Sequence, residues 1–236
     1  MESRDFIPGT DYVIIQSEDV YKYGADSILL SSFAEMEEGK TLIDIGTGVG
    51  ILALRCHYLY KPKRVYAYEI QSSLCALANK SVELNELDGE VKIINMDIND
   101  VIDQEKVDYI ITNPPYVEYG RGIKNKNEAK LIAFHEVSLK LEEVFKFSKK
   151  HLKNKGKLFL INRANRLVDI IDYARQYNLE PSRLRNVHSF LDSRAKFVLV
   201  EFIHGGGKNF TIESPLYIYD EAGKYTKEIK EIYYDR

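Results

Sequence analysis

A chain of 236 residues, 44% of them hydrophobic, can build one large domain with a sizeable core, or one domain with a small appendage. Its formal net charge of -3 lacks the basic footprint of an overt nucleic-acid binder, so any such contact must come from local clusters. No apolar run reaches the roughly 20 residues that span a bilayer, and the start Met1-Glu2-Ser3-Arg4-Asp5 has no signal-peptide core; a soluble, cytoplasmic protein is expected.

From about residue 40 to about residue 165 strands and helices alternate, the pattern of a parallel sheet with helices on both faces. Thr41 to Ile45 reads as the first strand, and a glycine turn leads into a helix beginning near Ile51. Arg64 to Tyr68 gives the second strand and Ser72 to Leu84 an amphipathic helix; Val91 to Ile94 is the third strand. Val107 to Thr112 is nearly all apolar, as a strand buried on both faces requires. Residues Val117 to Glu128 show no period and read as a loop, followed by a helix from about Phe134 to Lys150. A turn at Gly156, a strand from Lys157 to Ile161, a helix from Leu167 to Tyr177 and closing strands Arg183 to His188 and Phe197 to Phe202 complete the order, with Gly205-Gly206-Gly207 ending the sheet. The tail from Lys208 alternates tyrosines with charges and reads as an appendage.

The strand ends carry the chemistry. Asp44-Ile45-Gly46-Thr47-Gly48-Val49-Gly50 joins a strand to a helix, where glycines permit positive φ and close backbone approach to a cofactor. The spacing is G-x-G-x-G, which suits a dinucleotide pyrophosphate less well than G-x-G-x-x-G. Glu69, about 20 residues on, can accept from ribose hydroxyls, a role a dinucleotide fold shares. Asp97 can accept from an adenine amino group while Met96 or Ile98 packs the ring, which favours an adenosine with an amino-acid tail, as in S-adenosylmethionine. Taken singly, each acid also reads as a helix cap or a strand-end turn.

The fourth strand delivers Asn113-Pro114-Pro115-Tyr116. Two prolines must break the strand, and the loop offers a side-chain amide, the Pro114 carbonyl and an aromatic face to a flat –NH2 group. The bland alternative is a strand-ending turn. Cys56 and Cys75 have no partner at metal-ligand spacing and read as buried free thiols; His57, His135, His151, His188 and His204 are scattered, and no metal is expected.

These residues resemble the class I S-adenosylmethionine-dependent methyltransferases, in the amino-methylating branch that carries Asn-Pro-Pro-Tyr. The stretch Val20-Tyr21-Lys22-Tyr23-Gly24-Ala25-Asp26-Ser27-Ile28-Leu29-Leu30 looks like the signature preceding the sheet in bacterial tRNA1(Val) adenine-N6-methyltransferases, with Ala25 where threonine is common. Ser214 to Asp220 and the tyrosines after it resemble tails of that family. The resemblance implies an α/β, Rossmann-like fold with a mostly parallel seven-stranded sheet. It implies a domain over 41–207, an N-terminal segment 1–40 covering the cofactor site, with Gly24 and Asp26 in a turn over it, and an appendage 208–236. It assigns Asn113, Pro114 and Tyr116 to the target nitrogen. Lys22, Gly24, Asp44, Gly46, Thr47, Gly48, Gly50, Glu69, Ile70, Asp97, Ile98 and Asn113 fall to S-adenosylmethionine. The implied partner is tRNA, without membrane or metal, for a monomer or weak homodimer. Cations proposed for its backbone are Arg121, Lys124, Lys126, Arg163 and Arg194, with Arg166, Arg183, Arg185 and Lys196 as further candidates. Rival readings are a protein glutamine methyltransferase, a DNA adenine methyltransferase and a non-catalytic RNA-binding module.

Overall fold

The computed structural model describes residues 2–17, 24–116 and 139–234. Lys22, the expected loop after Tyr116 with Arg121, Lys124 and Lys126, His135, and the expected helix start at Phe134 lie outside the described residues. A hairpin opens the chain: β1 (Glu2–Phe6) pairs antiparallel with β2 (Val13–Ser17). Helix α1 (Ala25–Phe33) follows, then β3 (Thr41–Ile45), α2 (Ile51–Tyr60), β4 (Arg64–Glu69), α3 (Ser72–Leu84), β5 (Val91–Asn95) and β6 (Val107–Thr112). The second half holds α4 (Leu141–His151), β7 (Leu152–Arg163), α5 (Leu167–Gln176), β8 (Leu179–His188), β9 (Ala195–His204), β10 (Thr211–Ile212), β11 (Leu216–Tyr217) and α6 (Lys227–Tyr234).

The central sheet runs β10-β8-β9-β7-β6-β3-β4-β5, with β11 also on β8, and β9 alone runs antiparallel to both of its neighbours β7 and β8. It is mostly parallel, as expected, but among the described residues it has nine strands rather than seven. The tail does not leave the sheet at Gly205-Gly206-Gly207: Thr211–Ile212 and Leu216–Tyr217 each lie parallel along β8, covering an otherwise open edge. Two-residue strands have too little periodicity to be read from a pattern.

Alternation explains why the strands read as unbroken apolar runs. Leu42, Val65, Tyr109, Ile111, Phe159 and Ile161 face one core layer with α1, α2 and α3; Ile43, Ile45, Ile110, Leu158 and Leu160 face the other, with α4 and α5. Both cysteines are buried and free. The β1–β2 hairpin stays outside the central sheet and is fastened to α3: Asn85 Oδ1 accepts from the Val13 N–H at 2.8 Å and Ser81 Oγ from the Ile15 N–H at 2.9 Å. Among the described residues no helix is long and apolar enough to cross a membrane.

Two local expectations need correction. Gly156 is not in a turn but inside β7, beside Lys155 at φ 64, and a Cβ there would lie 2.9 Å from the Asp108 carbonyl oxygen. The glycine therefore allows β7 to approach β6 closely at an irregular register. Helix α4 begins at Leu141, where the Glu143 carboxylate accepts the Lys140 N–H at 3.0 Å.

Candidate active site

Strands β3, β4, β5 and β6 are parallel, so their carboxyl ends share one edge. The glycine turn sits there with Gly46, Gly48 and Gly50 at φ 68, 59 and 95, conformations that side chains resist. It is fixed from behind, since the Gly46 and Thr47 N–H groups donate to the Tyr68 carbonyl at 2.9 and 3.0 Å. At Gly50 an added Cβ would meet the Ala78 Cβ at 3.4 Å, whereas at Gly48 it would meet nothing within 4 Å. The first closes the helix packing; the second leaves backbone accessible to a ligand.

Asp44 is fully buried. Its Oδ2 accepts from Thr47 Oγ1 at 2.6 Å and from the Ala53 N–H at 3.1 Å, while Oδ1, also buried, has no hydrogen-bond partner. Burial pushes this carboxyl up to about 7, against the pull of those two bonds. Glu69 is buried as well: Oε2 takes the Gly48 N–H and Oε1 the Gln71 N–H, each at 2.9 Å. It thus holds the glycine turn in addition to the expected ribose role, and each carboxylate oxygen keeps acceptor capacity for a hydroxyl. Asp97 Oδ1 caps the turn at Ile98–Asp100 by accepting from the Asn99 N–H at 2.8 Å, so here the capping reading holds for one oxygen. Ile98 is buried beside it. Asn95, not singled out from sequence, donates to the Glu69 and Ile70 carbonyls at 2.9 Å and so fixes the chain at Ile70.

Asn113 to Tyr116 form a coil directly after β6, with Pro114 buried and Pro115 exposed. Neither the amide nor the ring stands alone. Asn113 Nδ2 lies 3.1 Å from Ser27 Oγ, and Asn113 Oδ1 lies 2.6 Å from Tyr116 Oη, which also lies 2.8 Å from Asp26 Oδ2. The Tyr116 ring packs on Phe197 at 5.3 Å between centroids, and the Arg163 guanidinium stands 5.8 Å from its centroid. Gly24 caps α1 and Asp26 occupies its first turn, where the helix dipole favours an acid, so the expected turn is the start of a helix. Ser27 and Phe197 escaped the sequence reading; their only signal was proximity to the Gly-Ala-Asp signature and to the basic pair Arg194 and Lys196.

The cations divide into two groups. Arg163, Arg194 and Lys196 are exposed, and the Lys196 ammonium lies 5.2 Å from the Phe197 ring centroid beside Tyr116. Arg183 and Arg185 are instead occupied by carboxylates. Arg183 reaches Glu35 at 3.0 Å, Glu213 at 2.8 Å and Glu201 at 3.2 Å, and Arg185 reaches Glu228 at 2.6 Å. Arg166 bridges to Asp169 at 2.7 Å.

A sheet of this order, with a glycine turn after β3, an acid ending β4 and an amide after β6, defines a class I methyltransferase. The Methyltransferase small domain family matches residues 17–172, and the chain belongs to that family. It is an enzyme that takes its methyl group from S-adenosylmethionine. The chain is 27% identical over 182 residues to a tRNA1(Val) (adenine(37)-N6)-methyltransferase of Parabacteroides distasonis, covering 76% of each chain. It is 25% identical over 224 residues to the protein of that name from Pedobacter heparinus, covering 95% of this chain and 94% of the relative. Among solved structures, a predicted O-methyltransferase from Agrobacterium tumefaciens superposes with a TM-score of 0.70 at 19% identity, over 88% of this chain and 94% of that one.

The residues present fit S-adenosylmethionine. Asp44 Oδ1 is a buried acceptor without a partner, suited to an ammonium group; Glu69 retains lone pairs for two hydroxyls; Ile98 gives an apolar surface and Asp97 an acceptor for an adenine amine.

Proposed function

We propose that this methyltransferase modifies the exocyclic N6 of an adenosine in tRNA, the one beside the anticodon of tRNA(Val). The observation that carries the reading is the Asn113-Pro114-Pro115-Tyr116 coil at the end of β6, hydrogen-bonded to the start of α1. Relatives bearing that activity in their names align over nearly the whole chain, which supports the nucleotide. Asp44, Gly46, Thr47, Gly48, Gly50, Glu69, Ile70, Asp97, Ile98 and Gly24 would hold the cofactor. When bound, the sulfonium supplies an electrophilic methyl group.

The protein's own part is positioning. The lone pair of an aromatic amine is delocalised into its ring. Acceptors at Asn113 and the Pro114 carbonyl would draw its two hydrogens out of plane and stabilise the positive charge that grows on nitrogen. Tyr116, backed by Phe197, would offer the stacking surface for a base that has left its loop, and such stacking contributes roughly 1–3 kcal/mol per base. Arg163, Arg194 and Lys196 lie on the same edge for the phosphates. A tRNA substrate is consistent with an enzyme of the cytoplasm. We read residues 41–207 as the catalytic domain, with 1–40 over the cofactor site and 208–236 appended.

The test is incubation of the protein with labelled S-adenosylmethionine and, separately, total tRNA, DNA and ribosomal proteins. Label on N6 of an anticodon-loop adenosine of tRNA(Val) is expected. Label confined to a protein would replace this reading with glutamine methylation.

A further inference from the structure

Among the described residues, Tyr116 Oη lies within hydrogen-bond distance of two oxygens, 2.8 Å from Asp26 Oδ2 and 2.6 Å from Asn113 Oδ1, yet the hydroxyl has one hydrogen. A carboxylate has no hydrogen to return and is the stronger acceptor, so the hydroxyl hydrogen goes to Asp26. The Asn113 atom beside Tyr116 must then donate to the phenol oxygen. Oxygen and nitrogen of a carboxamide are interchangeable by a half-turn, and only the surrounding bonds decide between them. Among Asp26, Ser27, Asn113 and Tyr116, the amide orientation that satisfies all four has its –NH2 toward Tyr116 and its oxygen toward Ser27 Oγ, whose hydroxyl donates to it across 3.1 Å.

We infer that Asp26 is a positioning residue: by capturing the Tyr116 hydroxyl hydrogen it fixes the Asn113 carboxamide with its oxygen on the Ser27 side. That oxygen accepts from Ser27 and keeps a second lone pair for the target amine. Without Asp26 the hydroxyl could donate to Asn113 as readily as accept from it, and the amide would occupy both orientations. In one of them it presents hydrogens to an amine that needs acceptors. The inference rests on the reading of Asn113 as the acceptor of the target nitrogen. It assigns chemistry to two α1 residues, Asp26 and Ser27, that are 86 or more positions distant in sequence from the loop they orient.

Two measurements decide it. In steady-state methyl transfer to tRNA, Asp26→Ala should lower kcat by about tenfold, since the lost bond is charge-assisted, with cofactor affinity by calorimetry unchanged. Tyr116→Phe should lower kcat as well, and the double variant should fall no further than Tyr116→Phe alone. Asp26→Asn, whose amide can donate to the phenol oxygen as well as accept from it, should restore kcat only in part. Losses that multiply in the double variant, or an unchanged kcat in Asp26→Ala, would overturn the inference. Independently of substrate, wild-type protein labelled with nitrogen-15 should show cross-peaks from the Asn113 –NH2 protons to the Tyr116 ring protons beside the hydroxyl, weakened in Asp26→Ala. Cross-peaks only to the Ser27 β protons would refute the orientation. A wild type that methylates no tRNA would strike the substrate reading alone, and the cross-peaks would still decide the inference.

Discussion

Asp44 combines full burial, one oxygen without a partner and a carboxyl raised to about 7. In the unfolded chain this group titrates near 3.9, so below about 3.9 the folded state gains from holding the proton more tightly, and that gain disappears as pH rises through about 7. An ammonium group brought to the bare oxygen favours the ionised form, so binding S-adenosylmethionine should release a proton below pH 7. Affinity should therefore tighten by up to about tenfold per pH unit below that value and level off above it. Calorimetry in two buffers of different ionisation enthalpy measures the release, and Asp44→Asn should abolish it. At Asn113 the expectation is separable: Asn113→Ala should reduce methyl transfer by about 100-fold or more while cofactor affinity stays within twofold. Equal losses in both would move Asn113 into the cofactor site. The positions of Asp44, Glu69 and Asn113 at strand ends were legible because the strands leading to them have a plain pattern. The Asp26 and Ser27 contacts were not, because they join a helix start to a loop distant in sequence.

At the level of elements, the opposite edge of the sheet is tied by Asp108 at the start of β6. Its Oδ2 accepts from the Thr41 N–H at 2.9 Å and from Thr41 Oγ1 at 2.7 Å, and its Oδ1 accepts from Lys153 at 2.8 Å, joining β3, β6 and β7. Burial alone would raise this carboxyl, but the Lys153 and Thr41 bonds outweigh it and bring it down to about 2. The resulting stability is present above about pH 3.9 and is lost as pH falls through about 2. Asp108→Ala should cost about 1–3 kcal/mol in urea unfolding at pH 7, and the difference from wild type should shrink toward pH 2. The alternating strands and helices from Thr41 to Thr112 could be read within a residue or two because β3, β4 and β6 are largely buried and β5, the exposed edge, is bounded by turns. The Gly156 bulge could not, since its glycine answers to a neighbouring carbonyl, and β10 and β11 could not, since they are held by β8 rather than by any pattern of their own.

Across the whole molecule, charge is sorted by position more than by amount. Arg183, with Glu35, Glu201 and Glu213, and Arg185, with Glu228, bind the tail to the sheet and the end of α1, whereas Arg163 and Arg194 stand exposed. Arg163→Ala and Arg194→Ala should each weaken tRNA binding and reduce its logarithmic salt slope by about 1, with melting temperature unchanged. Arg183→Ala should leave the slope alone and cost about 1–3 kcal/mol of stability, because buried Glu201 loses one of its two cations and keeps Lys157. Gel-shift titration across a salt series, alongside thermal melts, separates the two groups. Sequence reading listed all four together, since a count of basic residues carries no record of which acids surround them.

Arg55 closes the structure differently. At 2% exposure it has no carboxylate partner among the described residues and is held by neutral oxygens: Pro8 O, Ile28 O, Ser31 Oγ, Ser32 Oγ and, at 2.8 Å, the Ile232 carbonyl of α6. Burial pulls its pKa down, and Gly9 leaves room for it where a Cβ would stand 3.2 Å from Nη2. On the ribosome, Arg55 is made 177 residues before Ile232. The β3–β6 half of the sheet can assemble during that interval, but its buried cation keeps one donor unmet until α6 emerges. A nascent chain halted before residue 227 should therefore carry a competent glycine turn yet remain open to protease around α1, and it should lose that sensitivity when α6 is translated.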